Sequence, residues 1–188
     1  MTSIDTLPDD VLLVIFDYYM PVDGGMQGIK KLEKAWQSLV HICHRWRSIV
    51  FGSPRHLKLR LVCQERTRAR DTLDVWPALP LIIRCYGESQ LGSVDNIIAV
   101  LERSVRVCRI ELMFVPSSDF EIILAAMQQP FPELTHLDLY PMTRPVPVFP
   151  DTFLGGSAPR LEFLKLDDIT FPGLPKRDGY YSLHLDQP

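Results

Sequence analysis

The spacing of hydrophobic residues changes character along the chain. Leu12, Ile15, Phe16 and Tyr19 fall at i, i+3, i+4 and i+7, one apolar stripe of an amphipathic helix. Pro8 stands where a first helical turn begins, where its missing N–H costs nothing. Asp9 and Asp10 follow, at the positive end of the helix dipole. Pro21 stops the helix, and the glycine-bearing stretch 24–28 reads as a loop. A second, longer helix is predicted from about Ile29 to Phe51. Its seam is Leu32, Trp36, Leu39, Cys43, Trp46 and Val50, which advance by alternating steps of four and three. Gly52-Ser53-Pro54 ends it.

Beyond this point the period shortens. Leu57, Leu59 and Leu61 alternate with Lys58 and Arg60, a strand pattern. A polar, arginine-bearing segment over 64–71 leads to a short helix at Thr72–Trp76 before Pro77. Leu81-Ile82-Ile83 reads as a short strand and Val94–Arg103 as an amphipathic helix. A longer repeat then appears. Val107, Ile110 and Leu112 recur as Leu134, Leu137 and Leu139, and again as Leu161, Leu164 and Leu166, each time 27 residues on. A weaker earlier copy is Pro80, Ile83 and Cys85. This period lies within the range of leucine-rich repeats, roughly 20–29 residues, in which each repeat buries its leucines against its neighbours. Met142 and Ile169 stand where such repeats carry Asn or Cys, so the array is expected to be irregular. After Phe171 no further repeat or cap is legible. A truncated array with an irregular tail over 176–188 is expected.

Composition narrows the classes. Of 188 residues, 46% are hydrophobic and 23% charged, which excludes wholesale disorder. No apolar run approaches the length of a membrane span. Met1–Asp5 lacks the basic and apolar regions of a secretory leader. A net charge of −3 argues against sequence-blind nucleic-acid binding. Cys43, Cys63, Cys85 and Cys108 form no Cys-x-x-Cys pair and read as buried thiols in a reducing compartment, cytoplasmic or nuclear. His41, Cys43 and His44 read as a core thiol with surface histidines, so no metal is expected. Arg66, Arg68 and Arg70, with Arg55, Lys58 and Arg60 upstream, are diluted by Glu65, Asp71 and Asp74 and read as a solvated face. Gly24-Gly25 and Gly155-Gly156 fit no phosphate-cradling motif. No nucleophile elbow or zinc motif is present. Asp167 and Asp168 read as a strand-end turn. No catalytic residue and no cofactor are expected.

One resemblance concerns the first 51 residues. Leu7-Pro8-Asp9-Asp10-Val11-Leu12-Leu13, Ile15-Phe16, then Val40, Ile42-Cys43-His44-Arg45-Trp46-Arg47 and Ile49 resemble an F-box domain. The order of a Leu-Pro start, an amphipathic helix and a Cys-His-Arg-Trp helix carries the likeness. The 23 residues between Phe16 and Val40 exceed the usual F-box spacing. The combination with a repeat region resembles the F-box-like proteins of mushroom-forming fungi. The resemblance implies a three-helix domain that docks on the Skp-type adaptor of a cullin ubiquitin ligase. It implies contact through Leu7, Pro8, Val11, Leu12, Ile15 and Phe16, foremost Leu7, Pro8, Leu12 and Phe16, with Trp46 in the core.

The expected organisation is an F-box-like helical domain at 1–53 and a linking strand and helix region with the weak repeat at 54–104. Leucine-rich-repeat-like units follow at 105–175 and the irregular tail at 176–188. The fold class is α+β or α/β, a helical domain followed by a short solenoid with parallel strands. The repeat leucines are expected in the core. The outward residues Thr135, His136, Asp138, Glu162, Phe163 and Lys165 would then meet a protein substrate. The expected function is a substrate-recognition adaptor, with no nucleic-acid or membrane partner. The alternative is a repeat-based interaction module without a ligase link, or a truncated decoy.

Overall fold

In the computed structural model, which describes residues 4–21, 25–64, 68–86, 94–142, 149–150, 152–167 and 181–184, the chain divides into two units, 1–62 and 63–188. The architecture is mixed α/β, with six α-helices and six strands among the described residues.

Three helices build the first unit: α1 (Asp9–Tyr19), α2 (Gly25–Val40) and α3 (His44–Gly52). The long helix expected from 29 to 51 is therefore two. The chain breaks at 41–43, where Cys43 takes an extended backbone and its Sγ accepts the Trp46 N–H at 3.5 Å. That sulfur satisfies one of the orphan donors at the start of α3. As a cap, Cys43 is exposed rather than buried. Cys108 is only half-buried, while Cys63 and Cys85 are buried as expected. The apolar seam survives the break in part: Leu32, Trp36, Leu39 and Val50 are buried, whereas Trp46, expected in the core, is only half-buried. Trp36 is fully buried with Phe51 at 6.2 Å, and Trp46 lies 4.7 Å from Phe16. Gly25 already belongs to α2, so the expected loop over 24–28 is helical from that residue on.

The expected strand at 57–61 begins only at Leu61. Residues 54–58 form turns, with Lys58 at a positive φ of 50°. The turns bury both Leu57 and Leu59. Two bonds tie the stretch to α2. The Trp36 indole N–H donates to the Arg60 carbonyl at 3.2 Å, and the Val62 N–H donates to Glu33 Oε1 at 3.1 Å. The first unit thus reaches Val62, past residue 53.

A six-stranded sheet organises the rest, with strands in chain order. They are β1 (Leu61–Gln64), β2 (Leu81–Tyr86), β3 (Val107–Val115), β4 (His136–Pro141), β5 (Phe163–Leu166) and β6 (Tyr181–His184). Helices α4 (Ala69–Val75), α5 (Val94–Leu101) and α6 (Ser117–Ala126) fill the first three connections. Strands β2 to β5 pair in parallel. Ile83, Ile110, Leu137 and Leu164 align across them, as do Cys85, Leu112, Leu139 and Leu166. The 27-residue period is thus the register of the sheet. The weak first copy is in step at Ile83 and Cys85, and slips only at its start, where Leu81 rather than Pro80 meets Val107.

Alternation along a strand sends one set of side chains to each face. In β4, Leu137 and Leu139 are buried and His136, Asp138 and Tyr140 are half-buried. The aligned leucines join Ile97, Val100 and Leu101 of α5 and Phe120, Ile123 and Leu124 of α6 in the core. Each such side chain contributes about 1.5–3 kcal/mol by leaving water. In the last repeat Leu161 and Leu164 are only half-buried and Leu166 is buried. The tail expected to be irregular contains β6, which pairs antiparallel with β5 and covers its edge.

No α-helix lies between β4 and β5 among the described residues. A 3-10 turn, Phe153–Gly156, takes that place, with Leu154, Gly155 and Gly156 all at positive φ. A Cβ on Gly155 would lie 2.6 Å from the Pro130 nitrogen, whereas one on Gly156 would meet open space. Gly156→Ala is therefore expected to cost about 1–2 kcal/mol from backbone strain alone. Gly155→Ala should cost clearly more, and urea denaturation of both variants measures the difference.

Burial raises the Glu33 carboxyl above its ordinary range, opposed by the Val62 N–H. The unfolded chain then releases this proton at lower pH than the folded chain, so stability falls as pH rises through the interval between the two. Glu33→Gln keeps an oxygen for Val62 and removes that loss. Thermal melts from pH 4 to 7 should show a flatter decline for the variant than for the parent chain.

Candidate functional site

Two surfaces, one in each unit, carry the candidate chemistry. In the first unit α1 is apolar almost all round, so it cannot bury every face within so small a helical unit. Leu12 and Phe16 are fully buried. They belong to the core, against the expectation that they lead the partner contact, because the ring of Trp46 takes up Phe16. Of the other expected contacts, Leu7 is half-buried and Pro8 is exposed, while Val11 and Ile15 are 39% and 41% exposed. Val14, Tyr18 and Tyr19 extend this exposed face, with Tyr18 at 90%. Val11, Val14 or Ile15, and Tyr18 recur at helical spacing. They form a second apolar stripe, legible in the sequence but hidden behind the first. The Leu-Pro entry is fixed beside it. Arg45 of α3 pairs with Asp9 at 2.6 Å and also donates to the Leu7 carbonyl.

In the second unit the candidate surface is the sheet face opposite the leucines. Four aligned positions form a charged row: Arg84, Glu111, Asp138 and Lys165. Glu111 is held by Arg84 Nε at 2.7 Å and by Arg109 Nε at 2.5 Å. The Tyr86 hydroxyl donates to it at 3.3 Å. Burial, reinforced by the charge of Glu111, raises the Tyr86 phenol. Asp138 is served less well. Its Oδ1 lies 3.9 Å from Lys165 Nζ and accepts no hydrogen bond among the described residues. Burial raises its carboxyl; Lys165 and, more weakly, Arg109 oppose this, while Glu111 and Asp167 add to it.

Aromatic pairs flank Asp138 along the strand. His136 stacks on Phe163 at 5.8 Å, and Tyr140 meets Phe114 edge-on at 4.8 Å. Phe114 has a φ of 57° at a register shift in β3, a bulge that re-aims its side chain.

Of the six expected substrate contacts, this face gathers His136, Asp138, Phe163 and Lys165. Glu162 is exposed just before β5. Thr135 is a brace instead: its hydroxyl donates to the Cys108 carbonyl, and its own carbonyl accepts from Glu162 and Phe163. The sequence reading passed over Arg84, Glu111, Tyr86 and Tyr140, although the 27-residue offset carries Arg84 and Glu111 directly onto Asp138.

Among the described residues no group of three or more His, Cys, Asp or Glu side chains is placed to hold a metal ion. No described helix is long and apolar enough to cross a membrane. Arg68 and Arg70 line an open cleft with Asp71, Asp95 and Glu102, charges of both signs. Arg66 and Asp168 lie outside the described residues. A scan against protein-family models and searches of curated proteins and of solved structures returned no match.

The buried pair Arg84–Glu111 sets the cost of disturbing the sheet face, since removing one partner strands a charge away from water. Glu111→Ala, which takes the carboxylate from both Arg84 and Arg109, is expected to lower stability by about 3–5 kcal/mol. The paired change Arg84→Met with Glu111→Leu should restore part of it, as read from chemical denaturation.

Proposed function

We propose that the chain is a substrate-recognition adaptor. Its N-terminal helices bind a Skp-type subunit of a cullin ubiquitin ligase, and its strands, read as an irregular leucine-rich-repeat solenoid, present a protein substrate. The exposed apolar stripe of α1, next to the fixed Leu7-Pro8 entry, is the observation that carries this reading. Large apolar side chains grouped on one helix face mark a docking surface. The F-box-like order of residues in the same segment says which partner to try. The 27-residue register of the sheet and its polar face support the second half of the role. In this reading the chain makes and breaks no bonds. It accelerates transfer by holding substrate lysines near the charged enzyme, an effect of effective concentration.

The burial pattern separates the exposed positions of α1 from its core positions, so the two can be changed separately. Val11→Asp with Ile15→Asp changes only exposed positions. Co-expressed with a fungal Skp-type adaptor, the parent chain should elute as a one-to-one complex on size exclusion. The double variant should lose that complex while keeping its circular dichroism spectrum. Leu12→Ala should instead cost about 2–5 kcal/mol of stability. A well-folded parent chain that forms no complex with a soluble adaptor would overturn the ligase role and leave the sheet face as the surface to pursue.

A further inference from the structure

Resting on the substrate-presenting role above, we propose that the sheet face takes an extended peptide whose lysine or arginine sets its cation against Asp138, between the two aromatic pairs. Three features converge there. The first is an imbalance in the charged row. Glu111 has two guanidinium groups at 2.7 and 2.5 Å. Among the described residues the ion pair of Asp138 is with Lys165 Nζ at 3.9 Å, beyond hydrogen-bond reach, and the charge of Arg109 acts on it more weakly. Its side chain keeps 23% of its surface exposed and that of Lys165 keeps 29%, with the ammonium carried on a flexible four-carbon stem. The protein's own ammonium thus occupies, loosely, the position that an incoming cation would take closely.

The second feature is the pair of aromatic flanks. His136 with Phe163 lies on one side of Asp138 and Tyr140 with Phe114 on the other. Aromatic faces attract Lys and Arg cations and accept apolar side chains. His136, Asp138 and Tyr140 occupy alternate positions of one strand. Alternate side chains of an extended peptide have the same spacing, about 6.8 Å, so a cation and its neighbours two residues away would meet all three sites together.

The third feature is Phe114. A bulky residue at positive φ costs about 1–3 kcal/mol. Phe114 nevertheless leaves its ring partly exposed beside Tyr140 instead of filling the core. Backbone strain spent on an exposed aromatic side chain fits a ligand contact.

The test is a two-dimensional NMR titration of the full chain with acetyl-Phe-Ser-Lys-Ser-Phe-amide and with its glutamate-centred counterpart. Saturable shifts around β4 are expected with the lysine peptide, and affinity about tenfold weaker or worse with the glutamate peptide. Asp138→Asn should weaken the lysine peptide about tenfold, which is about 1.4 kcal/mol, without lowering the melting temperature. Lys165→Ala, which removes the internal competitor, should tighten it. Equal affinity for the two peptides would overturn the inference, as would the absence of saturable shifts or weaker binding by Lys165→Ala. These outcomes do not depend on Asp138→Asn folding. The Skp-type adaptor complex is assayed on the same preparation. A chain that binds the adaptor but neither peptide overturns this inference alone, and a chain that binds the lysine peptide but no adaptor overturns the ligase role alone.

Discussion

The register of the parallel strands is the constraint on which the second unit depends. Because β2 to β5 pair at an offset of 27 residues over most of their length, one choice of residue type is repeated across the sheet. Where that choice is aliphatic, Ile83, Ile110, Leu137 and Leu164 form a continuous apolar row. Each strand there is covered only because its neighbours are in step. Where it is charged, Arg84, Glu111, Asp138 and Lys165 come together on the other face, and their electrostatics become collective. A slip of one residue would exchange the two faces. Core and candidate surface are therefore two readings of a single period.

The first unit depends on a different economy. Its helices are few and short, and α1 carries more apolar side chains than they can cover. Trp46 selects Phe16 as its partner, and Leu12 is enclosed with it. Val11, Val14, Ile15 and Tyr18 remain uncovered, and they form the face on which the proposed adaptor would dock. The Asp9–Arg45 pair is too exposed to stabilise much. Its value lies in holding the Leu7-Pro8 entry against α3.

Much of this was legible in the sequence. α1 follows from its stripe and its proline, and the sheet from the 27-residue offset. The break at 41–43 was not, because a seam with steps of four and three reads the same in one helix or in two. A cysteine cap carries no sequence signature that separates it from a core thiol. The division of α1 into core and surface was also hidden. Hydrophobicity marks Leu12 and Ile15 alike, and only the position of Trp46 in space separates them. β6 escaped because an antiparallel strand has no place in a parallel repeat pattern. Of the candidate substrate face, the half on β4 and β5 was visible. Arg84 and Glu111 were not legible because charged residues alternating with apolar ones in a strand read as solvated, and only their pairing lets both be buried.

The most direct measurement of the central claim is amide hydrogen exchange of the full chain with and without a soluble Skp-type adaptor. Slowed exchange confined to the segment from Leu7 through α1 and neighbouring helix ends, with the strands unchanged, is the result predicted here. Unchanged exchange in α1 beside protection of β3 to β5 would contradict it, because the adaptor would then occupy the face assigned to substrate.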